Sequence, residues 1–156
     1  MQEHVISPRA SLIEAAAQDI EQRIDPNIYA VCTLKQAVPC GNQLVRGDLV
    51  QYAVEAARFI RRLSKRVYGK SNYARTKKEL PAAVTLEGDG NNRRFHFNVL
   101  IRKPDWISHA DFKAVFIKEW SRMQWGRNDV YFEERYDDCV RYSLKEGANS
   151  LIYQTR

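Results

Sequence analysis

Two side chains that could bind a metal ion lie two residues apart in the segment 94–101. Because successive side chains of a strand point to opposite faces, His96 and Asn98 would share one face, and the alternate positions are apolar. A hairpin with the preceding strand-like segment would bring the Glu87 carboxylate to that face. A strand histidine is more often a packing residue, but imidazole, amide and carboxylate together favour a hard cation such as Mn²⁺ or Mg²⁺.

A second reactive pair lies near the end of the chain, where Tyr142 and Lys145 are three residues apart and would share a helix face. A phenol is a poor nucleophile at neutral pH because its pKa is about 10. A divalent cation that polarises a phosphodiester and stabilises its departing 3′-oxygen would let Tyr142 attack phosphorus and form a phosphotyrosyl ester. Lys145 would neutralise phosphate charge or hold the phenol and a metal-bound water in place. Tyr136 is the alternative nucleophile.

Positive charge is concentrated in the second half of a predicted helix and in the segment after it. These residues are Arg58, Arg61, Arg62, Lys65, Arg66, Lys70, Arg75, Lys77 and Lys78. Tyr68 and Tyr73 lie among them, which favours single-stranded nucleic acid, because bases stack on rings while cations follow the phosphates. The alternative is a solvated helix face whose cations complement the helix dipole.

Length and composition indicate one globular domain over 1–156, with 1–26 as a helical extension. Hydrophobic residues make up 44% of the chain, yet mean hydropathy is −0.54 and no apolar run approaches the ~18 residues of a membrane span. With no signal peptide, we expect a cytoplasmic protein without a membrane partner. The net charge of +6 suits a polyanion, and the three cysteines lack zinc or redox spacing.

The order of apolar and turn residues predicts an α+β fold. A capping box at Ser11 and Glu14 begins an N-terminal helix. The later elements are a strand at 28–36, a helix over 47–69, strands at 81–87 and 94–103 joined by a turn at 88–92, a helix over 108–126, a strand at 129–136, a short helix through 145 and an edge strand at 151–154. The β-α-β-β-α-β core predicts a ferredoxin-like antiparallel sheet with helices on one face and the site on the other, open face.

Three of these motifs together resemble the HUH endonuclease superfamily, in particular the nicking domain of rolling-circle replication initiators (Rep proteins) of plasmids, phages and single-stranded DNA viruses. The likeness covers roughly 28–154. The segments that carry it are Val31-Cys32-Thr33-Leu34 on the first strand, His96-Phe97-Asn98 in the hairpin and Tyr142-Ser143-Leu144-Lys145 in the late helix.

The resemblance implies a metal-dependent endonuclease that nicks and transfers single-stranded DNA through a covalent 5′-phosphotyrosine, and so initiates rolling-circle replication. It implies Tyr142 as the nucleophile, Lys145 as the phosphate or metal-water partner, and Glu87, His96 and Asn98 as ligands of Mn²⁺ or Mg²⁺. The family has His or Gln where this chain has Asn98, a weaker ligand than imidazole and shorter than Gln, so we expect low metal affinity. The implied partners are single-stranded DNA at an origin or hairpin and the host helicase and replication machinery. No phosphate-loop motif is present for a helicase in this chain.

Other functions remain open at the level of sequence. A Rep-like DNA-binding protein or replication repressor would keep the fold and the basic surface without cleavage. A transposase or relaxase of the same superfamily would use the same chemistry on another substrate. A non-enzymatic ferredoxin-like binder of single-stranded nucleic acid would need only the basic residues and exposed rings.

Overall fold

The computed structural model describes residues 5–88 and 93–155. Its α-helices are α1 (Pro8–Arg23), α2 (Leu49–Tyr68), α3 (Lys70–Thr76), α4 (His109–Ser121) and α5 (Cys139–Ser143). Its strands are β1 (Ile28–Leu34), β2 (Ala37–Cys40), β3 (Gln43–Arg46), β4 (Ala82–Glu87), β5 (His96–Ile101), β6 (Gly126–Glu134) and β7 (Leu151–Gln154). A short 3₁₀-helix, Ala148–Ser150, precedes β7. None of the helices in the described ranges has the length and apolarity needed to cross a membrane.

Five strands form one sheet in the order β6-β1-β5-β4-β7, and each neighbouring pair is antiparallel. The predicted α+β class with an antiparallel sheet is therefore confirmed. β7 pairs with β4 at one end of the sheet, as predicted for an edge strand. β2 and β3 form a separate hairpin in a segment for which no strand was predicted.

One face of the sheet packs against α2 and α4. The apolar stripe of α2 supplies Phe59, which contacts Phe116 and Trp120 of α4 with ring centroids 5.0 and 5.1 Å apart in edge-to-face geometry. Phe97 of β5 lies beneath them, 5.8 Å from the Trp120 ring. Because these side chains are fully buried or nearly so, this layer is the main hydrophobic core and it fixes the position of the His96 strand.

The opposite face is only partly open, contrary to the prediction. Leu100 and Tyr29 on this face are buried under Ile20 of α1 and Val140 of α5. An apolar Leu100 exposed on a sheet face would be unfavourable, and the apolar side of α1 covers it. The other half of the face, around His96, remains partly exposed.

Several element boundaries also differ from those predicted. The first helix begins at Pro8, one turn early, because the Ser7 side chain accepts a hydrogen bond from the Ala10 amide at 3.1 Å. Residues 70–76, for which no helix or strand was predicted, form α3. The helix that carries Tyr142 ends at Ser143, so Lys145 lies in the following turn. In the predicted turn 88–92, positions 89–92 lie outside the described residues.

Candidate functional site

Pairing of β4 with β5 places two of the predicted ligands side by side. Glu87 pairs directly with His96, and Thr85 pairs with Asn98. Side chains of directly paired residues lie on the same face of a sheet. The sequence prediction that Glu87 shares a face with His96 and Asn98 is therefore confirmed.

The Glu87 carboxylate is the centre of the cluster. It is only 3% exposed, His96 Nε2 donates a hydrogen bond to its Oε2, and the Lys145 ammonium lies 2.6 Å from its Oε1. Arg93 Nη2 lies 3.9 Å from Oε2. A buried carboxylate is costly unless it is paired, and here cationic or hydrogen-bonding groups approach both oxygens.

The charges of this cluster are set by burial and by the pairing itself. Burial raises the pKa of Glu87, but Lys145 and His96 outweigh it and hold that pKa below its ordinary value of 4.5. For Lys145, burial lowers the pKa, and the Glu87 carboxylate and the Tyr142 phenol raise it above its ordinary value. Glu87 and Lys145 are therefore an ionised pair at neutral pH.

Tyr142 lies at the surface beside this pair. Its side chain is 46% exposed, and the Lys145 ammonium lies 3.9 Å from the centre of its ring. The short helix α5 is held in place by the buried side chain of Val140 and by Arg141. Arg141 forms a bidentate ion pair with Glu14 of α1, with N···O distances of 2.9 and 2.6 Å. The structure therefore brings together Tyr142, Lys145, Glu87 and His96.

Asn98 is on the same face but is engaged elsewhere. It is fully buried, its Oδ1 accepts a hydrogen bond from the Tyr29 hydroxyl at 3.0 Å, and its Nδ2 donates to Thr85 Oγ1 at 3.1 Å. The oxygen that a cation would need is thus already satisfied. Within the described part of the chain, no three His, Cys, Asp or Glu side chains are grouped as a metal site. Glu87 and His96 are donor types that suit a hard cation, but binding one would require the hydrogen bond between them to be given up. Asn98, whose oxygen is buried and accepts from Tyr29, does not fit as the third donor.

We expect Asn98→Ala to destabilise the fold by about 2–3 kcal/mol, because Tyr29 and Thr85 would both lose a buried partner. Urea denaturation measures this loss. The exposed Asn128→Ala variant is the control and should change stability by less than about 0.5 kcal/mol. Unchanged stability combined with loss of Mn²⁺ binding would show instead that Asn98 is a ligand.

Tyr29 is a component of this site that sequence reasoning did not connect to Asn98. Its strand, β1, lies directly beside β5 in the sheet, and Val31 is the residue paired with Asn98. The alternation of β1 does place Tyr29 and Val31 on one face. It does not say which residues of β5 lie opposite them, because β1 and β5 are far apart in the sequence. Tyr29 also contacts Tyr136, with ring centroids 5.5 Å apart.

Tyr136, the alternative nucleophile, has a less suitable environment. Its side chain is 44% exposed, close to the value for Tyr142. Burial raises the pKa of Tyr136, with further increases from Cys139 and Tyr142, so its phenolate is harder to form. Lys145 lies against the ring of Tyr142. Tyr142 is therefore the better candidate.

The basic residues of the sequence prediction lie on α2, α3 and the segment after α3. α2 packs in the core on one side of the sheet, and α5, which carries Tyr142, packs in the core on the other side. The basic residues of α2 and Tyr142 therefore lie on opposite sides of the sheet. Tyr73 is only 8% exposed, and Lys65 lies over its ring at 5.1 Å. Lys78 lies over the Tyr68 ring at 5.0 Å. The buried Tyr73 ring is therefore not available for a base to stack on, and Tyr68 is half-buried with Lys78 over its ring.

The cluster around Glu87 combines groups suited to phosphate chemistry. An exposed phenol lies against an ammonium group, and a buried carboxylate holds both that ammonium and an imidazole. An ammonium can bind a phosphate and stabilise a phenolate, and a phenolate can attack phosphorus. Comparison with protein-family models, curated proteins and solved structures finds no match to this chain.

Proposed function

We propose that this chain is an HUH-type endonuclease that nicks single-stranded DNA through Tyr142 and initiates rolling-circle replication. The observation that carries the proposal is the exposed Tyr142 phenol beside the Lys145–Glu87–His96 cluster. Labelled single-stranded DNA incubated with the protein and Mn²⁺ tests it. A protein–DNA adduct that survives denaturation is expected, and intact DNA without any adduct would contradict the proposal.

The strand order supports a ferredoxin-like core for this function. Four strands follow the order β6-β1-β5-β4, with α2 in the connection from β1 to β4 and α4 in the connection from β5 to β6. These elements fit the proposed β-α-β-β-α-β arrangement, in which the His96 strand is central. A central strand is held by neighbours on both sides, so it supports His96 rigidly.

In the proposed reaction the Tyr142 oxygen attacks phosphorus, the P–Oη bond forms and the bond from phosphorus to the 3′-oxygen breaks. The DNA 5′ phosphate stays on Tyr142, the phenol loses its proton, and the 3′-oxygen leaves and takes up a proton. Lys145 stabilises the phenolate and the phosphate charge, and Glu87 holds the Lys145 ammonium at 2.6 Å. A divalent cation, Mn²⁺ or Mg²⁺, bound through Glu87 and His96 would polarise the phosphate.

The proposed substrate is single-stranded DNA at an origin or hairpin, with strand opening by a host helicase. A later 3′-hydroxyl would attack the phosphotyrosine and reseal the strand, since the energy of the cut bond is kept in the ester. One observation favours a second candidate, a Rep-like DNA-binding protein without cleavage. The Asn98 oxygen accepts a hydrogen bond from the Tyr29 hydroxyl, so the cation site has two donors rather than three. Adduct formation distinguishes the two candidates.

We expect Lys145→Gln to bind Mn²⁺ more tightly than the parent protein, by about tenfold, because the ammonium no longer competes for the Glu87 carboxylate. The same variant should form less adduct. Isothermal titration with Mn²⁺ measures the affinity, and the exposed Lys35→Gln is the control for loss of one positive charge. Equal Mn²⁺ affinities in all three proteins would argue against Glu87 as a ligand.

A further inference from the structure

The outer face of α2 is apolar in the first half of the helix. Val50 and Val54 lie one turn apart and are 71% and 47% exposed, and Leu49 beside them is also exposed. The core side of the helix is formed by other residues, among them Tyr52 and Phe59. A surface helix ordinarily has one apolar side, which faces the core. Apolar side chains grouped on a second, exposed face favour association with another protein.

The beginning of α2 is fixed by contacts within the chain, so this outer face is preformed. The Gln51 amide donates to the Asp48 carboxylate at 2.8 Å, and the Asp48 amide donates to the Gln51 side chain at 3.2 Å, which completes a capping box. The Tyr52 hydroxyl donates to the Lys35 carbonyl at 3.0 Å. A preformed apolar surface loses little conformational entropy when a partner covers it.

The charges at the two ends of the outer face are opposite in sign. Asp48 precedes the apolar residues, and Arg58 and Arg61 follow them at exposed positions. A second copy of α2 docked antiparallel would place its two arginines near Asp48 of the first copy, and the reverse, whereas parallel docking would set arginines against arginines. Opposed helix dipoles favour the antiparallel pair as well. Because Arg46 is close to Asp48 in the sequence, these pairs select the orientation and the apolar residues supply the affinity.

The antiparallel arrangement also brings the apolar residues of two copies together. With a two-fold axis between Ala53 and Val54, Val54 of each copy meets Ala53 and Val54 of the other, and Val50 meets Ala57. The face from Val50 to Ala57 is about 10 Å long, at about 1.5 Å per residue. An interface of this length is smaller than that of a permanent dimer, so we expect a weak dimer with a micromolar dissociation constant.

We propose that the first half of α2 is the interface of a homodimer, in which two copies of this chain pair antiparallel about a two-fold axis. The proposal does not rest on the nicking function. α2 packs on one side of the sheet and α5, which carries Tyr142, packs on the other. Both copies of Tyr142 therefore remain exposed in the dimer.

Sedimentation velocity of the full chain from about 1 μM to about 1 mM measures self-association. The interface variant carries Val50→Lys and Val54→Lys, which set like charges against each other across the two-fold axis. The control variant carries Ile6→Lys and Leu12→Lys, which make the same change in charge at two other exposed apolar positions. Thermal melting checks that each protein is folded.

The parent and the control variant should change from monomer to dimer over this range, and the dissociation constant of the interface variant should be at least about tenfold higher. A parent that is still monomeric at the highest concentration would overturn the proposal and leave the outer face to a different protein. A dimer that the interface substitutions do not weaken, or that the control substitutions weaken equally, would also overturn it.

Single cysteines test the orientation of the two copies. Each is introduced together with Cys40→Ser, because Cys40 is exposed and the other two cysteines are buried. Val54→Cys lies beside the two-fold axis and should form a disulfide with its own counterpart under mild oxidation. Val50→Cys and Ala57→Cys chains, when mixed, should crosslink to each other faster than either does alone. Faster crosslinking of Val50→Cys to itself would show a parallel pair and contradict the proposal.

Discussion

Tyr142→Phe is expected to abolish covalent attachment to single-stranded DNA, with a loss of at least about a thousandfold in the rate of adduct formation. Phenylalanine keeps the ring against which the Lys145 ammonium lies, 3.9 Å from its centre, but removes the attacking oxygen. The exposed phenol contributes no buried hydrogen bond in the described structure, so folding should be unaffected. Denaturing gels with end-labelled DNA and Mn²⁺ measure the adduct, and thermal melting measures the fold.

The chain offers a matched control in Tyr136. Its exposure, 44%, is close to the 46% of Tyr142, and its ring contacts Tyr29 with the centroids 5.5 Å apart. Tyr136→Phe should retain adduct formation within a few-fold of the parent. The reverse pattern, with Tyr136→Phe inactive and Tyr142→Phe active, would show that Tyr136 is the nucleophile. It would contradict the choice of Tyr142, which rests on the Lys145 ammonium beside its ring.

Glu87→Gln is expected to affect both activity and stability. The amide cannot hold the Lys145 ammonium or accept from His96 as a carboxylate does, so we expect adduct formation to fall on the order of a hundredfold. Stability should fall by about 2 kcal/mol, the scale of a hydrogen bond to a charged group. This is less than for a fully buried pair, because 32% of the Lys145 side chain is exposed.

The pH dependence of stability provides a second test of Glu87. The pKa of Glu87 in the folded protein lies below its ordinary 4.5 because Lys145 and His96 outweigh burial. Its contribution to stability is therefore complete above that ordinary value and is lost as the pH falls through the folded pKa. The difference in free energy of unfolding between the parent and Glu87→Gln should shrink from about pH 7 to about pH 3. A difference that grows in acid would mean that the carboxylate is not held ionised by its neighbours.

Alternation along two short segments was enough to predict the centre of the candidate site. A period of two placed Glu87 and His96 on one face, and one turn-rich connection implied that their strands pair. Spacing of three residues likewise implied that Tyr142 and Lys145 are neighbours, and this proximity survives although Lys145 lies in a turn rather than a helix. Strand alternation and helical spacing depend only on nearby residues, and they were sufficient to predict these two pairs of neighbours.

The parts that sequence reasoning missed depend on contacts between distant segments. The hydroxyl of Tyr29 reaches Asn98 only because β1 lies beside β5 in a particular alignment. The covering of Leu100 by α1 depends on where the N-terminal helix folds back. The basic residues of α2 were identified correctly as a group, but their position on the layer opposite α5 follows from the sheet topology.

Mass spectrometry of the digested protein–DNA adduct tests the central claim most directly. After nuclease trimming, the peptide containing residue 142 should carry a deoxynucleotide 5′-phosphate, and fragmentation should place it on the Tyr142 oxygen. The peptide containing Tyr136 should be unmodified. A nucleotide on any other residue, or cleaved DNA with no modified peptide, would contradict the assignment of Tyr142 as the nucleophile.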